Sequence, residues 1–534
     1  MLDFCPFDFK KIDMNNLAYE LTFPNGWSWE RVKRDTVVGE DKKFFINEND
    51  KRQTRHYKDD KSVKHIVLLE NGKKGGKNGF KIFCEYLEYK KEERKKENLD
   101  HKGSGGGDED FLSKYASEFQ AEDEEGKPSE PILLEYKKFY GIDTFVDENG
   151  DEVMYAIPCC PHCHNRLPIG WETAEDFAAV SLRAGTGGGK TTFLYSMMQN
   201  NWSAFRQLES VNGKKIHITA AHRNNDPTDS YYNNMCMLAQ EMCRDFGKCP
   251  GSTQRDKWIP PVFLNVQYGG HTMILGIYDN AGENLEKPDP DKNPQLKMLL
   301  DKMFADIYLF DPKNMNLALP GKKEKVRRNY DEDCRMLDIQ EQGKFQEEHR
   351  DKVITARELL FENKKNTGSE ESEANNLTVY DNTLSIRQQY CCLERMKEMY
   401  FLGVIIKCDL LEQVEEIKKN HDYDALFERG TPEDLLDLNN MTARSGLIKQ
   451  MIQERQLLGN RDLESFQAHY GELMEDGVTP TGRNAVSWHC VSALGCDAEM
   501  GGKLLGKYRP IRVAEPLVTC ILKRIADNKW LEGE

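Results

Sequence analysis

The chain of 534 residues contains no run of about 18 consecutive apolar residues, so no membrane-spanning helix is predicted. Its first residues, MLDFCPFDFKKIDM, lack the basic stretch and apolar core of a secretory leader. Positive charge is not in surplus: 74 Lys and Arg against 90 Asp and Glu leave a net charge of −16. A bulk surface of that sign repels a phosphate backbone, so nucleic acid is not the expected partner. No internal repeat is evident. What these absences leave is a globular protein, expected in the cytoplasm. Several of the 15 cysteines stand alone in apolar runs, such as Cys408 in VIIKCDLL and Cys520 in LVTCILK. A reduced thiol there behaves as a small buried hydrophobe, which suits a reducing compartment.

With 38% hydrophobic and 31% charged residues, the chain has material for one large or two to three ordinary domains. Near the N-terminus a strand is expected around LTFPNGWSW. The stretch from about 90 to 131, KKEERKKENLDHKGSGGGDEDFLSKYASEFQAEDEEGKPSEP, has too little apolar content to fold alone and reads as a mobile, solvated insertion. From Asp176 the pattern changes to the apolar runs FAAVSLRA, KKIHITAA, PVFLNVQ, HTMILGIYD, DIYLFDP, YFLGVIIKCDLL and AVSWHCVSAL, alternating with helical segments. That alternation predicts an α/β domain with a mostly parallel sheet. Two long polar, helix-prone stretches, about 313–390 and 412–478, read as helical insertions. The expected layout is a small β-rich module over 1–170 and a three-layer P-loop NTPase domain over 171–534.

The segment FAAVSLRAGTGGGKTTFLYSMMQN runs from an apolar strand through a glycine-rich turn into an amphipathic helix. In that setting AGTGGGKT is a phosphate-binding loop. Gly185, Gly187, Gly188 and Gly189 let backbone N–H groups turn inward around a β-phosphate, Lys190 reaches the β- and γ-oxygens, and Thr191, followed by Thr192, can bind Mg²⁺. Asp279-Asn280-Ala281-Gly282 closes the strand HTMILGIYD. Its aspartate can hold Mg²⁺ through water, and its glycine can offer an N–H to a γ-phosphate and pivot when that phosphate leaves. Lys407 and Asp409 follow the strand of FLGVIIKCDLL, where a carboxylate can accept the N1 and N2 hydrogens of guanine. Ser492, Ala493 and Leu494 end the last apolar strand, where a backbone N–H can reach guanine O6.

In that order AGTGGGKT, DNAG, IKCD and SAL resemble the successive motifs of the translation-factor-related class of P-loop GTPases. Within it the chain is most similar to the bacterial double-GTPase families of conflict and antiviral systems, in which a cysteine-bearing ribbon precedes the GTPase domain. The resemblance spans roughly residues 177–530. It implies Mg²⁺-dependent GTP hydrolysis coupled to a regulatory switch, with a protein partner or self-association. One position departs: the guanine motif of that class begins with Asn or Thr, and here stands Ile406.

By position in that fold, Thr253 is the switch threonine that binds Mg²⁺, with Thr228 as the alternative. Glu283 stands where related GTPases orient the attacking water, and reads equally as a solvent-facing glutamate. Arg223 and Arg255 lie in the region of an arginine finger. The alternatives in function are a P-loop ATPase, which Ile406 favours and Asp409 opposes, and a nucleotide-binding scaffold without turnover.

A further constellation lies upstream. Cys160-Pro-His-Cys163 has the spacing of a tight knuckle in which two thiolates grip one Zn²⁺. FCPFDF resembles the second knuckle of a zinc ribbon, giving Cys5, with Asp8 where a cysteine is expected. His162 or His164 are the other candidates for the fourth ligand, and a decayed, metal-free turn is the alternative. A metal here is expected to be structural.

Overall fold

The computed structural model describes residues 2–24, 26–40, 46–50, 66–70, 79–103, 131–139, 142–184, 189–205, 216–222, 230–249, 261–279, 302–312, 399–430, 437–455, 457, 486–496 and 503–530. The chain divides into two compact units, Asp3–Ile169 and Gly170–Glu534, the latter counted with Met1–Leu2.

The first unit is built on a six-stranded antiparallel sheet. Its strands are β1 (Ala18–Thr22), β2 (Ile46–Asp50), β3 (Ile66–Leu69), β4 (Glu135–Phe139), β5 (Ile142–Val146) and β6 (Glu152–Cys159), in the order β2-β3-β1-β6-β5-β4. The strand expected around LTFPNGWSW lies further upstream, as β1. Past Pro24 the chain turns, and Ser28 caps a helix α1 (Trp29–Asp35) by accepting the Arg31 N–H. A serine ahead of a charged run favours a helix start over a continued strand.

The charged insertion is also redrawn. Helix α2 (Gly79–Gly103) runs through its first part, while residues 104–130 lie outside the described residues. Lys, Glu and Arg propagate a helix well once its first turns are anchored. Here the anchors are Phe80, stacked on Tyr19 at 4.2 Å, and the buried Phe83, set edge-on to Phe145 at 5.3 Å.

The second unit carries a seven-stranded sheet, mostly parallel: β7 (Asp176–Ala184), β8 (Ile216–Ala220), β9 (Val262–Tyr268), β10 (His271–Asp279), β11 (Met303–Phe310), β12 (Tyr400–Ile405) and β13 (Ser487–Cys490). The order is β13-β12-β11-β7-β10-β9-β8; the first five run parallel and β9 is antiparallel to both neighbours. The seven apolar runs of the sequence correspond to these strands. Strands β11 and β12 are buried throughout, as a parallel sheet covered on both faces requires. β8 alternates buried and exposed positions, which fits an edge. The β9–β10 hairpin turns on Gly269 and Gly270, at φ +57° and +93°, the left-handed pair that matches strand twist.

Alternate side chains of the strands enter two cores. Ile307 and Leu309 of β11 and Leu402 and Val404 of β12 pack with helices α3 (Lys190–Phe205), α4 (Ser230–Met242) and α6 (Glu515–Asp527). Tyr308, Phe310, Phe401 and Ile405 face the other way, against α5 (Leu438–Glu454) and the single turns Glu415–Lys418 and Asp424–Phe427. Each buried Leu or Ile contributes roughly 1.5–3 kcal/mol. Of the two expected helical insertions, 313–390 lies outside the described residues, and the described part of 412–478 carries the turns Glu415–Lys418 and Asp424–Phe427 and helix α5. Arg524 of α6 donates twice to Asp176, 2.6 Å each, and fastens the helix to the start of β7.

Candidate functional sites

The parallel strands of the second unit end together. In register, Asp279 of β10 lies beside Leu182 of β7, Ala184 beside Leu309 of β11, Phe310 beside Ile405 of β12, and Ile405 beside Cys490 of β13. Chain order reverses at β7, whose neighbours β10 and β11 lie on opposite sides. The carboxyl edge at such a point is where open α/β sheets bind ligands.

Of the glycine-rich segment, Gly185, Thr186, Gly187 and Gly188 lie outside the described residues, as do Thr228, Thr253, Gly282, Glu283, Arg223 and Arg255. Gly189 is described, at φ +70°, a left-handed conformation that favours glycine. The Phe193 N–H donates to its carbonyl at 2.8 Å, and α3 begins at Lys190, with Thr191 and Thr192 half-buried in the first turn. Lys190 Nζ lies 3.2 Å from Asp279 Oδ1. Burial pushes the Asp279 carboxyl above its ordinary range, and the ammonium opposes that shift.

Behind Gly189 stand the two residues after β12. A methyl group placed on Gly189 would lie 3.5 Å from Ile406 Cδ1 and 3.8 Å from Lys407 Cε. Ile406 is buried, so the position where the resembling class has a polar side chain makes an apolar contact. Lys407 takes a left-handed backbone, φ +53°, and its ammonium donates to Asp311, one residue past β11. Asp409 follows, half-buried in a 3₁₀ turn, Cys408–Leu410.

This loop is pinned to the next one. The Cys408 N–H donates to the Val491 carbonyl at 3.1 Å and the Val491 N–H to that of Ile405 at 2.9 Å. Ser492 exchanges two backbone bonds with Ile511, and its Oγ accepts the Gly495 N–H. The Ala493 carbonyl accepts Ser196 Oγ of α3 at 2.7 Å, and that of Leu494 accepts the Arg509 N–H at 2.8 Å.

A buried charge cluster underlies these loops. Glu515 Oε1 meets His489 Nδ1 of β13 at 3.0 Å; its Oε2 accepts from Arg444 of α5 at 2.9 Å and from Arg512 at 3.3 Å. Burial alone would raise the Glu515 carboxyl, but His489, Arg444 and Arg512 together hold it down to about 2. Sequence reasoning missed Ser196, Asp311 and this cluster. Of these, Asp311 had a readable signal, a carboxylate at the end of the apolar run DIYLFDP, as in HTMILGIYD.

The first unit holds a separate site. Cys5, Asp8, Cys160 and Cys163 are buried, each with a ligand atom within 4.8 Å of those of the others. Two turns of one design bring them together. In each, the cysteine N–H donates to the carbonyl five residues on (Cys5 to Lys10, 2.8 Å; Cys160 to Asn165, 2.9 Å). The residue four positions on returns an N–H to the cysteine carbonyl at 2.9 Å, and that residue is left-handed, Phe9 at φ +54° and His164 at φ +55°.

Within each turn an N–H two residues on reaches the cysteine sulfur at 3.3 Å, from Phe7 and from His162. The Lys10 N–H bonds Asp8 Oδ1 at 3.1 Å, so Asp8 occupies the place that Cys163 has in the second turn. The His162 ring instead meets the Lys11 carbonyl, and Cys159 donates to the Ile157 carbonyl.

The three thiols of this cluster shift one another. Bonds from the Cys163 and Cys5 thiols draw Cys160 far down, while burial raises Cys5 and the bond to Cys160 raises Cys163. The Cys5 and Cys163 sulfurs are 3.6 Å apart, close to the roughly 3.8 Å expected between two thiolates on one tetrahedral Zn²⁺. The donor set therefore fits a metal ion.

No protein-family model and no curated protein matches this chain. Among the described residues, no helix is long and apolar enough to cross a membrane.

Proposed function

We propose that the second unit is a P-loop GTPase that works as a Mg²⁺-dependent regulatory switch, and that the first unit carries a structural Zn²⁺ on Cys5, Asp8, Cys160 and Cys163. The observation that carries the first reading is the Lys190–Asp279 pair, the lysine after a glycine-rich turn meeting a carboxylate at the end of the adjacent parallel strand. A phosphate-binding loop and a metal-holding aspartate need that juxtaposition.

In this reading Lys190 and the amides of Gly185, Gly187, Gly188 and Gly189 hold the phosphate oxygens, with Thr192 in the same first turn. Thr191, Thr253 and Asp279 hold Mg²⁺ directly or through water, and Mg²⁺ when bound neutralises charge on the β- and γ-phosphates. Gly282 senses the γ-phosphate and Glu283 orients water. Asp409 selects guanine, with Lys407 and the loop of Ser492, Ala493 and Leu494 bounding the base. Ile406 favours ATP as the second reading, because it offers no polar brace between base loop and phosphate loop. A protein partner or a second copy, a cytoplasmic setting and a conflict or antiviral role follow from the resemblance alone.

The test is binding of labelled GTP with Mg²⁺ to wild type and to Lys190→Met. The reading requires saturable binding that weakens at least about a hundredfold in the variant, the scale of removing a charged hydrogen-bond donor from phosphate. Equal binding by both proteins would overturn it.

A further inference from the structure

The departure at Ile406 removes a polar brace, yet the loop that carries Asp409 still lies beside Gly189. Ile406 Cδ1 and Lys407 Cε stand 3.5 and 3.8 Å from where a methyl group on Gly189 would lie, and the Lys407 ammonium reaches Asp311. Asp311 is 6% exposed in its side chain and Lys407 33%, so the carboxylate is the fixed end and the lysine the adjustable one. The backbone supports this: the Ile406 N–H donates to the Phe310 carbonyl at 3.0 Å, which keeps the residue before Asp311 in step with the residue before Lys407. Lys407 is moreover left-handed, a conformation disfavoured for an L-residue that persists where its surroundings over-determine it.

We propose that Asp311 is a positioning residue for base selection: by holding the Lys407 ammonium it fixes the lysine stem over Gly189 and thereby sets the turn that presents Asp409. The ion pair takes over the bracing that the missing polar side chain would give. The proposal rests on the nucleotide-binding reading above and adds a specificity determinant to it. Asp311 touches no base in this account; it acts through Lys407.

The experiment measures the ratio of GTP to ATP affinity, with Mg²⁺, for wild type, Asp311→Asn, Asp311→Glu, Lys407→Met and the Asp311→Asn/Lys407→Met double variant. Thermal unfolding of each serves as the fold control. The ratio should fall about tenfold in Asp311→Asn, the effect of one charge-assisted hydrogen bond, and largely recover in Asp311→Glu, which keeps the charge. The double variant should be no worse than Asp311→Asn, because both substitutions break one pair. Should Asp311→Asn fail to fold, Lys407→Met, which keeps an apolar stem, must show the same fall. An unchanged ratio in Asp311→Asn or in Lys407→Met, or losses that add in the double variant, overturns the role of Asp311. If wild type binds neither nucleotide, the nucleotide reading itself fails, a result distinct from either.

Discussion

Lys190, the first residue of α3, and Asp279, the last of β10, form an ion pair of 3.2 Å with side chains 11% and 4% exposed. A pair this enclosed is costly to break from one side, because the remaining charge is left in a low-dielectric setting. Lys190→Met should therefore lower the unfolding free energy by about 3 kcal/mol. Adding Asp279→Asn should restore most of the loss. Urea denaturation of wild type, single and double variants reads this directly; a double variant as unstable as the single would mean that the pair is not the cause.

The cysteine cluster predicts metal dependence of the first unit. Purified protein should contain about one zinc ion per chain, by mass spectrometry of the native protein. Cys163→Ser should lose it. Because Asp8 fills the position equivalent to Cys163, Asp8→Cys should retain the ion while Asp8→Ala weakens its binding. Retention of full metal content by Cys163→Ser would rule out this ligand set.

Acid stability should depend on Glu515. Its carboxyl is held at about 2 in the fold, against 4.5 for an unperturbed glutamate. A depressed carboxyl contributes stability that is fully present above the unfolded value and lost as pH falls from about 4.5 through about 2. Glu515→Gln should flatten the fall of unfolding free energy in that window relative to wild type. A slope identical in both proteins would show that other carboxylates govern acid unfolding.

Packing between β12 and β13 gives a prediction independent of any ligand. A methyl group on Gly403 would lie 2.4 Å from the ring of Trp488, its register partner on β13. Trp488 is buried and cannot withdraw without opening the core. Gly403→Ala should cost about 1–3 kcal/mol, measured by denaturant with tryptophan fluorescence.

The seven strands of the second sheet were readable because each is a short apolar run with turn residues at its ends, and the order of motifs already placed Lys190, Asp279, Lys407 and Asp409 at strand ends. Cys5 and Asp8 were readable because CPFD echoes CPHC. Helix α2 was not, since its apolar residues are concentrated in the first turns, through Leu87, ahead of a long polar extension. Nor could the Glu515 cluster be found: Arg444 and His489 lie 71 and 26 residues away along the chain, on separate elements. Pairing of that kind is a product of topology, and no local pattern announces it. Asp311 did carry a local signal, a carboxylate closing the apolar run DIYLFDP as Asp279 closes HTMILGIYD.

The measurement that bears most directly on the account is competition of ATP against labelled GTP, with Mg²⁺, on wild type and Asp409→Ala. The account predicts that GTP binds wild type much more tightly than ATP and that Asp409→Ala erases the preference while still binding nucleotide. Equal competition by ATP in wild type, unchanged in Asp409→Ala, would contradict the guanine assignment and leave the ATP reading in its place.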